Sequence, residues 1–236
     1  MPNEALNMPF ADEAPAESGS RTLSETAYEK VLDMLLSGEL VAGSVLQERR
    51  LAEALNISRT PLREALSHLE AEGLVTREVG RLMIVRRISV RSYIEILHVR
   101  KLLETEAAGL AAGRIDKARA EHIRSEIWKL MEIEKPTPTQ HWAVDDLVHS
   151  TIADASENQL LAEQIRDLRR RTHIFNTRRI PSRLKPGSLE HLALIDAVVI
   201  GDADKARELM AEHIGNVRLA IVDQLVNRGA PVTAVK

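Results

Sequence analysis

From Val90 to about residue 228 the apolar side chains recur with helical spacing and nowhere alternate as a strand requires. The pattern breaks at Gly113, at Pro136 and Pro138, at Ser156, between Pro181 and Gly187, and at Gly201–Asp202. These are residue types that start or stop helices. The segments between them, roughly 90–112, 116–134, 138–155, 157–179, 188–200 and 203–227, can bury their apolar stripes only against one another. An antiparallel all-helical bundle is the expected architecture for this part of the chain.

Residues 21–88 follow a different plan. Thr22 and Glu25 form a capping-box pair, after which Ala27, Val31 and Leu35, with Tyr28, Leu32 and Leu36, make an apolar stripe ending at Gly38. A short helix is expected from Glu48 to Leu55, with Leu51, Ala52 and Leu55 inward and Asn56 suited to the left-handed residue beyond its end. The next helix begins near Thr60–Pro61, since proline has its backbone angle preset for a first turn. Leu62, Ala65, Leu66 and Leu69 face inward until Gly73. Two extended runs follow, Leu74 to Glu78 and Met83 to Arg87, around a turn containing Gly80. Three helices and a small hairpin outline a winged helix-turn-helix. The fold class is therefore mainly α, an N-terminal winged helix-turn-helix domain plus a C-terminal antiparallel all-helical bundle. Residues 1–20 carry four acids, no base and no apolar period, and read as a disordered tail.

Composition removes several functions. Cysteine is absent, which excludes disulfides, thiolate-held zinc and a cysteine nucleophile, and suits a reducing compartment. With two Phe, two Trp and two Tyr, the chain lacks the stacking platforms of single-strand binders. No apolar run approaches the roughly 20 residues needed to span a bilayer; the best, Leu192 to Ile200, is interrupted by Asp196. The N-terminus has no basic segment followed by an apolar one, so no secretory signal is expected. A soluble cytoplasmic protein with no membrane partner is the expectation. The formal net charge of −3 argues against nucleic acid only in sum. Between Arg49 and Arg91 there are nine arginines and no lysine, and they outnumber the acids. Arginine is the side chain suited to bidentate guanine and phosphate contacts.

The run Ser58-Arg59-Thr60-Pro61-Leu62-Arg63-Glu64-Ala65-Leu66 concentrates this bias. Arg59 lies at the mouth of the helix and Arg63 one turn further on the same side, with the leucines opposite. Such an element can bury its apolar stripe and still push two guanidinium groups into a major groove; an ordinary amphipathic helix with a solvated arginine face has the same composition. Ser58 and Thr60 hydroxyls beside free helix N–H groups can bind phosphate. Residues 31–88 resemble the DNA-binding domain of the GntR family of bacterial transcription regulators. The resemblance is carried by Gly38…Gly43…Leu46, Leu51-Ala52-Glu53-Ala54-Leu55, the Ser58–Leu66 string and Glu72-Gly73-Leu74-Val75. It implies that Arg49, Ser58, Arg59, Thr60, Arg63 and, in the wing, Gly80 and Arg81 contact double-stranded DNA. Leu82 stands where the family's wing carries glycine.

The bundle holds a second constellation. Asp145 and His149 are four residues apart and share a helix face. His191 lies ten residues before Gly201 and His213 twelve after it, about 15 and 18 Å of helix, so an antiparallel pair brings the two imidazoles level. Three imidazoles and a carboxylate would make an open site for zinc, nickel or manganese; scattered core or surface histidines have the same spacing. Residues 90–228 resemble the FCD-type ligand-binding domain of the FadR branch of GntR regulators. The matching parts are Arg100-x-x-Leu-Glu104, Asp145-x-x-x-His149…Asn158 and Glu190-His191…Gly201-Asp202…Ala206…Met210…His213. This resemblance implies a divalent metal on Asp145, His149, His191 and His213, and a small carboxylate effector against the metal and an arginine. Arg100 matches that arginine, though an ion pair with Glu104 at i+4 spacing competes for it. Asn176 and Arg178 are further candidates for the pocket. His68, His98, His122 and His141 lack a partner at ligand spacing, and His173, among Arg169 to Arg171, reads as solvated.

Together these readings describe a homodimeric regulator, a repressor by the family's usual outcome, whose hold on an inverted-repeat operator answers to a small organic acid. Two rivals compete with it. An open His/Asp metal site can activate water in a hydrolase, although the chain has no HExxH motif and no second general base beside Asp146. A helical scaffold that binds only protein would show no salt-dependent DNA binding.

Overall fold

The computed structural model describes residues 22–78, 82–175 and 181–227. The N-terminal tail, the wing-tip residues Gly80 and Arg81, and Asn176 and Arg178 lie outside the described residues.

The chain opens on helix α1 (Leu23–Ser37), started by the expected capping box: Thr22 Oγ1 accepts from the Glu25 amide at 3.1 Å and Glu25 accepts from the Thr22 amide at 2.8 Å. Helices α2 (Glu48–Leu55) and α3 (Arg59–Ala71) form the helix-turn-helix, with Asn56 in the left-handed region (φ 52°) between them. Pro61 falls in the first turn of α3, where its missing N–H leaves no bond unmade. Strands β2 (Val75–Glu78) and β3 (Leu82–Val85) pair antiparallel from Val75↔Val85 to Glu78↔Leu82. A two-residue strand that the sequence did not announce, β1 (Val45–Leu46), adds to the other edge of β3 and gives the order β1-β3-β2. Val31, Leu35, Leu46, Leu51, Leu62, Leu66, Leu69, Leu74, Met83 and Val85 close one core under this unit.

The bundle consists of α4 (Val90–Ala111), α5 (Lys117–Glu132), α6 (Pro138–Ala155), α7 (Gln159–Phe175), α8 (Leu184–Ile200) and α9 (Ala203–Asn227). A 3₁₀ turn at Pro181–Arg183 leads into α8. Helix α8 starts four residues before the sequence expectation because Pro186 sits in its first turn, where proline is tolerated, so that Gly187 is helical rather than a break. Gly201 caps α8 at φ 88°, a left-handed geometry that reverses the chain into α9. The two helices then run side by side. Leu97, Ala108, Ile123, Ile127, Val148, Ile152, Leu194, Ile195, Val198, Met210 and Ile214 fill the bundle core.

Helix α7 faces both parts of the molecule. On the bundle side it packs on α4 and α6, and at its other face it meets α1, which in turn packs along α3. His173 Nε2 donates to the Leu36 carbonyl at 2.8 Å, and Arg170 lies 3.8 Å from Glu72, whose carboxylate accepts from Tyr28 at 2.8 Å. His173 also stacks on Trp142, with ring centroids 3.9 Å apart. It is half-buried in these contacts, which corrects the expectation of a solvated histidine.

Candidate functional site

On α3, Pro61, Leu62, Ala65, Leu66 and Leu69 are buried, and this anchoring turns the opposite face outward. The side chains of Arg59 and Arg63 are 58% and 56% exposed, and that of Arg49 at the start of α2 is 81% exposed. Ser58 is the N-cap of α3 and, like Thr60, is exposed. Arg63 donates through Nε to Glu48 at 2.7 Å, and the Arg59 guanidinium lies 3.7 Å from the same carboxylate. Glu48 therefore gathers both guanidinium groups on one side of the helix pair, a role that the sequence reading missed because it crosses from α2 to α3. Arg49 pairs within its own helix with Glu53 at 3.4 Å.

The second site lies inside the bundle. Helix α6 supplies Asp145 and His149, α8 supplies His191, and α9 supplies His213; the three imidazoles are buried. One ligand atom from each of the four residues lies within 4.8 Å of all the others. His149 Nε2 is 3.2 Å from His191 Nε2, and Asp145 Oδ1 is 3.7 Å from His191 Nε2 and 4.0 Å from His149 Nε2. The ring centroids of His191 and His213 are 4.5 Å apart, so the Gly201 reversal does bring them level.

Carboxylates stand behind two of these rings. His149 Nδ1 hydrogen-bonds Glu104, and His213 Nδ1 donates to Glu190 at 2.8 Å. The other oxygen of Glu104 accepts from Arg100 at 2.6 Å. Arg100 also donates to Thr172 at 3.0 Å. Glu190 is held by Arg183 and by Asn216 at 2.9 Å. Arg169, which is 1% exposed rather than solvated, donates to Asp145 at 2.8 Å, lies 3.4 Å from Asp146 and 3.8 Å from Glu104, and covers the Trp142 ring at 5.1 Å. Arg169 and Glu190 meet the metal-candidate residues only across helices, and Glu104, whose local spacing shows the pair with Arg100, meets His149 from another helix.

The electrostatics favour the metal-ready protonation state of Asp145, His149 and His191. Burial, reinforced by Arg169, pushes the His149 pKa down to about 4, and burial with the neighbouring His213 holds His191 well below its ordinary value. Both imidazoles are neutral at pH 7, so the His149–Glu104 contact is an N–H donated to a carboxylate. Burial alone would raise the Asp145 carboxyl, but the Arg169 charge and the nearby imidazoles hold it well below the usual range. Glu104 is also depressed: Arg100 and then His149 outweigh its burial.

The cluster adjoins two cavities. A small one of about 60 Å³ lies against Asp145, His191 and His213. A larger one of about 450 Å³ shares Asp145 and His213 with it and is walled by apolar Tyr93, Leu97, Trp142, Leu184 and Ile214. Arg100, Lys135 and Arg183 bring cationic groups to its wall, and His141, expected to be bland, lines both cavities. Three buried imidazoles, an ionised carboxylate and room for an ion suit a divalent cation of the zinc type.

The comparisons with known proteins bear on both halves. Residues 23–85 match the gntR family of bacterial regulatory proteins, and residues 95–216 match the FCD domain. The chain is a GntR-family transcriptional regulator with an FCD domain. It is similar to the HTH-type transcriptional regulator LutR of Bacillus subtilis, 30% identical over 78% of this chain and 94% of the relative. The Glc operon transcriptional activator of Escherichia coli is 27% identical over 86% of this chain and 90% of its own length. Among solved structures, Escherichia coli McbR/YncC superposes with a TM-score of 0.77 at 26% identity, covering 88% of this chain and all of that one. These relatives and domains are those of a transcriptional regulator rather than an enzyme, which removes the hydrolase alternative. A GntR winged domain implies double-stranded DNA as a partner, and the FCD domain points to a small-molecule effector. Among the described residues no helix is long and apolar enough to cross a membrane.

Proposed function

We propose that this GntR regulator is a cytoplasmic homodimeric repressor whose hold on an inverted-repeat operator is weakened by a small carboxylate effector bound beside a divalent metal, zinc first and nickel or manganese next. The observation that carries the reading is the convergence of Asp145, His149, His191 and His213 at the wall of a cavity that also presents Arg100. Those four residues would hold the metal, which when bound supplies a Lewis-acidic point for an effector oxygen. Arg100 offers a guanidinium to the effector carboxylate; its bond to Glu104 supports the competing ion-pair expectation as well, and the two are compatible because only Nε is used there. Asn176 and Arg178 belong to the same proposal on the resemblance alone.

At the DNA end, Arg49, Ser58, Arg59, Thr60 and Arg63 form the reading face, with Gly80 and Arg81 assigned to the wing on the family pattern. A two-fold protein reads a two-fold site. Exposed Val99 and Leu102 on α4, with Leu219 and Val222 on α9, are apolar side chains that a second copy would cover.

The test uses a DNA fragment selected from a random pool by the purified protein. Fluorescence anisotropy follows its release as short hydroxy acids and dicarboxylates are added to zinc-loaded and metal-free protein. Release by one of them that requires zinc and Arg100 is the expected result. An acid response indifferent to metal removal and to Arg100→Ala overturns the effector site.

A further inference from the structure

We infer that Glu104 and Glu190 are positioning residues that fix the tautomers of His149 and His213, presenting Nε2 of each ring as the lone-pair donor; the metal consequence rests on the site reading above. A neutral imidazole carries one N–H, and whichever nitrogen has it cannot ligate. Which nitrogen this is depends on the hydrogen bond that the other makes. Here each Nδ1 faces a carboxylate from a different helix, Glu104 of α4 for His149 and Glu190 of α8 for His213. An ionised carboxylate only accepts, so each contact requires Nδ1–H and, in the neutral ring, leaves Nε2 bare. The bare Nε2 of His149 points into the cluster, 3.2 Å from His191 Nε2, and one ring nitrogen of His213 lies within 4.8 Å of a ligand atom of each of the other three residues.

Both carboxylates are themselves held. Glu104 is 1% exposed and receives Arg100 on its second oxygen at 2.6 Å. Glu190 receives Arg183 at 3.0 Å and Asn216 at 2.9 Å. These anchors leave the acceptors little freedom to turn away from their rings. Glu104 also stands between the metal site and the arginine that faces the cavity, since one carboxylate serves His149 and Arg100 at once. Neither glutamate is placed to ligate in its own right, because each approaches the far nitrogen of its ring.

The experiment compares wild type, Glu104→Gln and Glu190→Gln as full-length protein. Long-range ¹⁵N–¹H spectra of the metal-free forms report each imidazole tautomer directly. The wild type is expected to show Nδ1–H at His149 and His213, and each variant a mixture at its own histidine with the other unchanged. Zinc affinity, read by competition with a chromophoric chelator, is expected to fall about 10- to 100-fold in each variant. A purely structural role would leave the tautomers in place, so an unchanged ring in a folded variant overturns the inference. Glu190, partly exposed, supplies the second variant should Glu104→Gln fail to fold. Wild type that shows both Nδ1–H tautomers and yet takes up no zinc would sink the metal reading while upholding the positioning role.

Discussion

Arg63→Ala isolates the DNA-reading proposal. The Arg63 side chain is 56% exposed and, among the described residues, is tied through Nε, at 2.7 Å, to Glu48. The two terminal nitrogens can therefore form a fork toward a base edge without giving up that bond. Losing one bidentate base contact costs about 1–3 kcal/mol per half-site, which is roughly 5- to 150-fold in affinity. Against this, the exposed Arg63–Glu48 ion pair adds about 0.2–1 kcal/mol to folding, so the variant stays folded. The assay is anisotropy titration of a selected operator at several salt concentrations, with circular dichroism confirming helical content. If Arg63 reads a base, Arg63→Lys also loses specific affinity, because an ammonium has no fork. If it meets only a phosphate, Lys largely substitutes, and the alanine variant lowers the salt slope by about one. Operator affinity within twofold of wild type at matched salt, in a folded Arg63→Ala protein, would refute the placement of this helix face in the groove.

Three further outcomes follow from the bundle site. His191→Ala should lose stoichiometric zinc while keeping its far-ultraviolet spectrum, as native mass spectrometry and circular dichroism can show together. Arg169→Met should destabilise the metal-free protein by about 3–5 kcal/mol, because it takes from the partly buried Asp145 its paired cation and leaves buried Glu104 to Arg100 alone; urea melts should show zinc restoring part of the loss, and an unchanged midpoint would contradict the role given to Arg169. The third concerns pH. Because the folded His149 pKa lies near 4, below its ordinary 6.5, unfolded chains take up the proton first as pH falls. Metal-free stability is then complete above pH 6.5 and declines toward pH 4, by about 2.5 kcal/mol at pH 4.5 for this group alone. Urea melts across that range check the slope, and replacing His149 with Gln should flatten it.

Helix α2 was legible in the sequence to the residue because an inward triplet, Leu51, Ala52 and Leu55, is followed by an asparagine able to adopt φ 52°. Of the Asp145/His149/His191/His213 cluster, local arithmetic gave the i+4 pair and the near-level pair either side of a glycine reversal, while joining the two pairs took the resemblance to the FCD domain. Strand β1 was not, since two residues become a strand only by pairing with Met83 and Ile84 across some 38 positions. Glu104 showed only its local option, Arg100, whereas its contact with His149 spans 45 residues. Charge runs misled in the same way. The arginines around His173 suggested a solvated histidine, yet helix packing closes over Arg169 and leaves it among acids. His173 borrows its partners, Trp142 and the Leu36 carbonyl, from other helices.

On the proposed reading, the placement of α7 would set how far an effector's influence has to travel. Arg169 bonds Asp145 and Thr172 lines the large cavity, while Arg170 and His173 touch the winged unit, all within little more than one helical turn, about 6 Å of rise. A tilt of that single turn, forced by an anion drawing Arg100 from Thr172, would be transmitted at the Leu36 carbonyl to α1 and the recognition helix it braces. On the proposed reading, sensor and reader would meet on one turn of one helix, and the rest of the bundle would have no need to move.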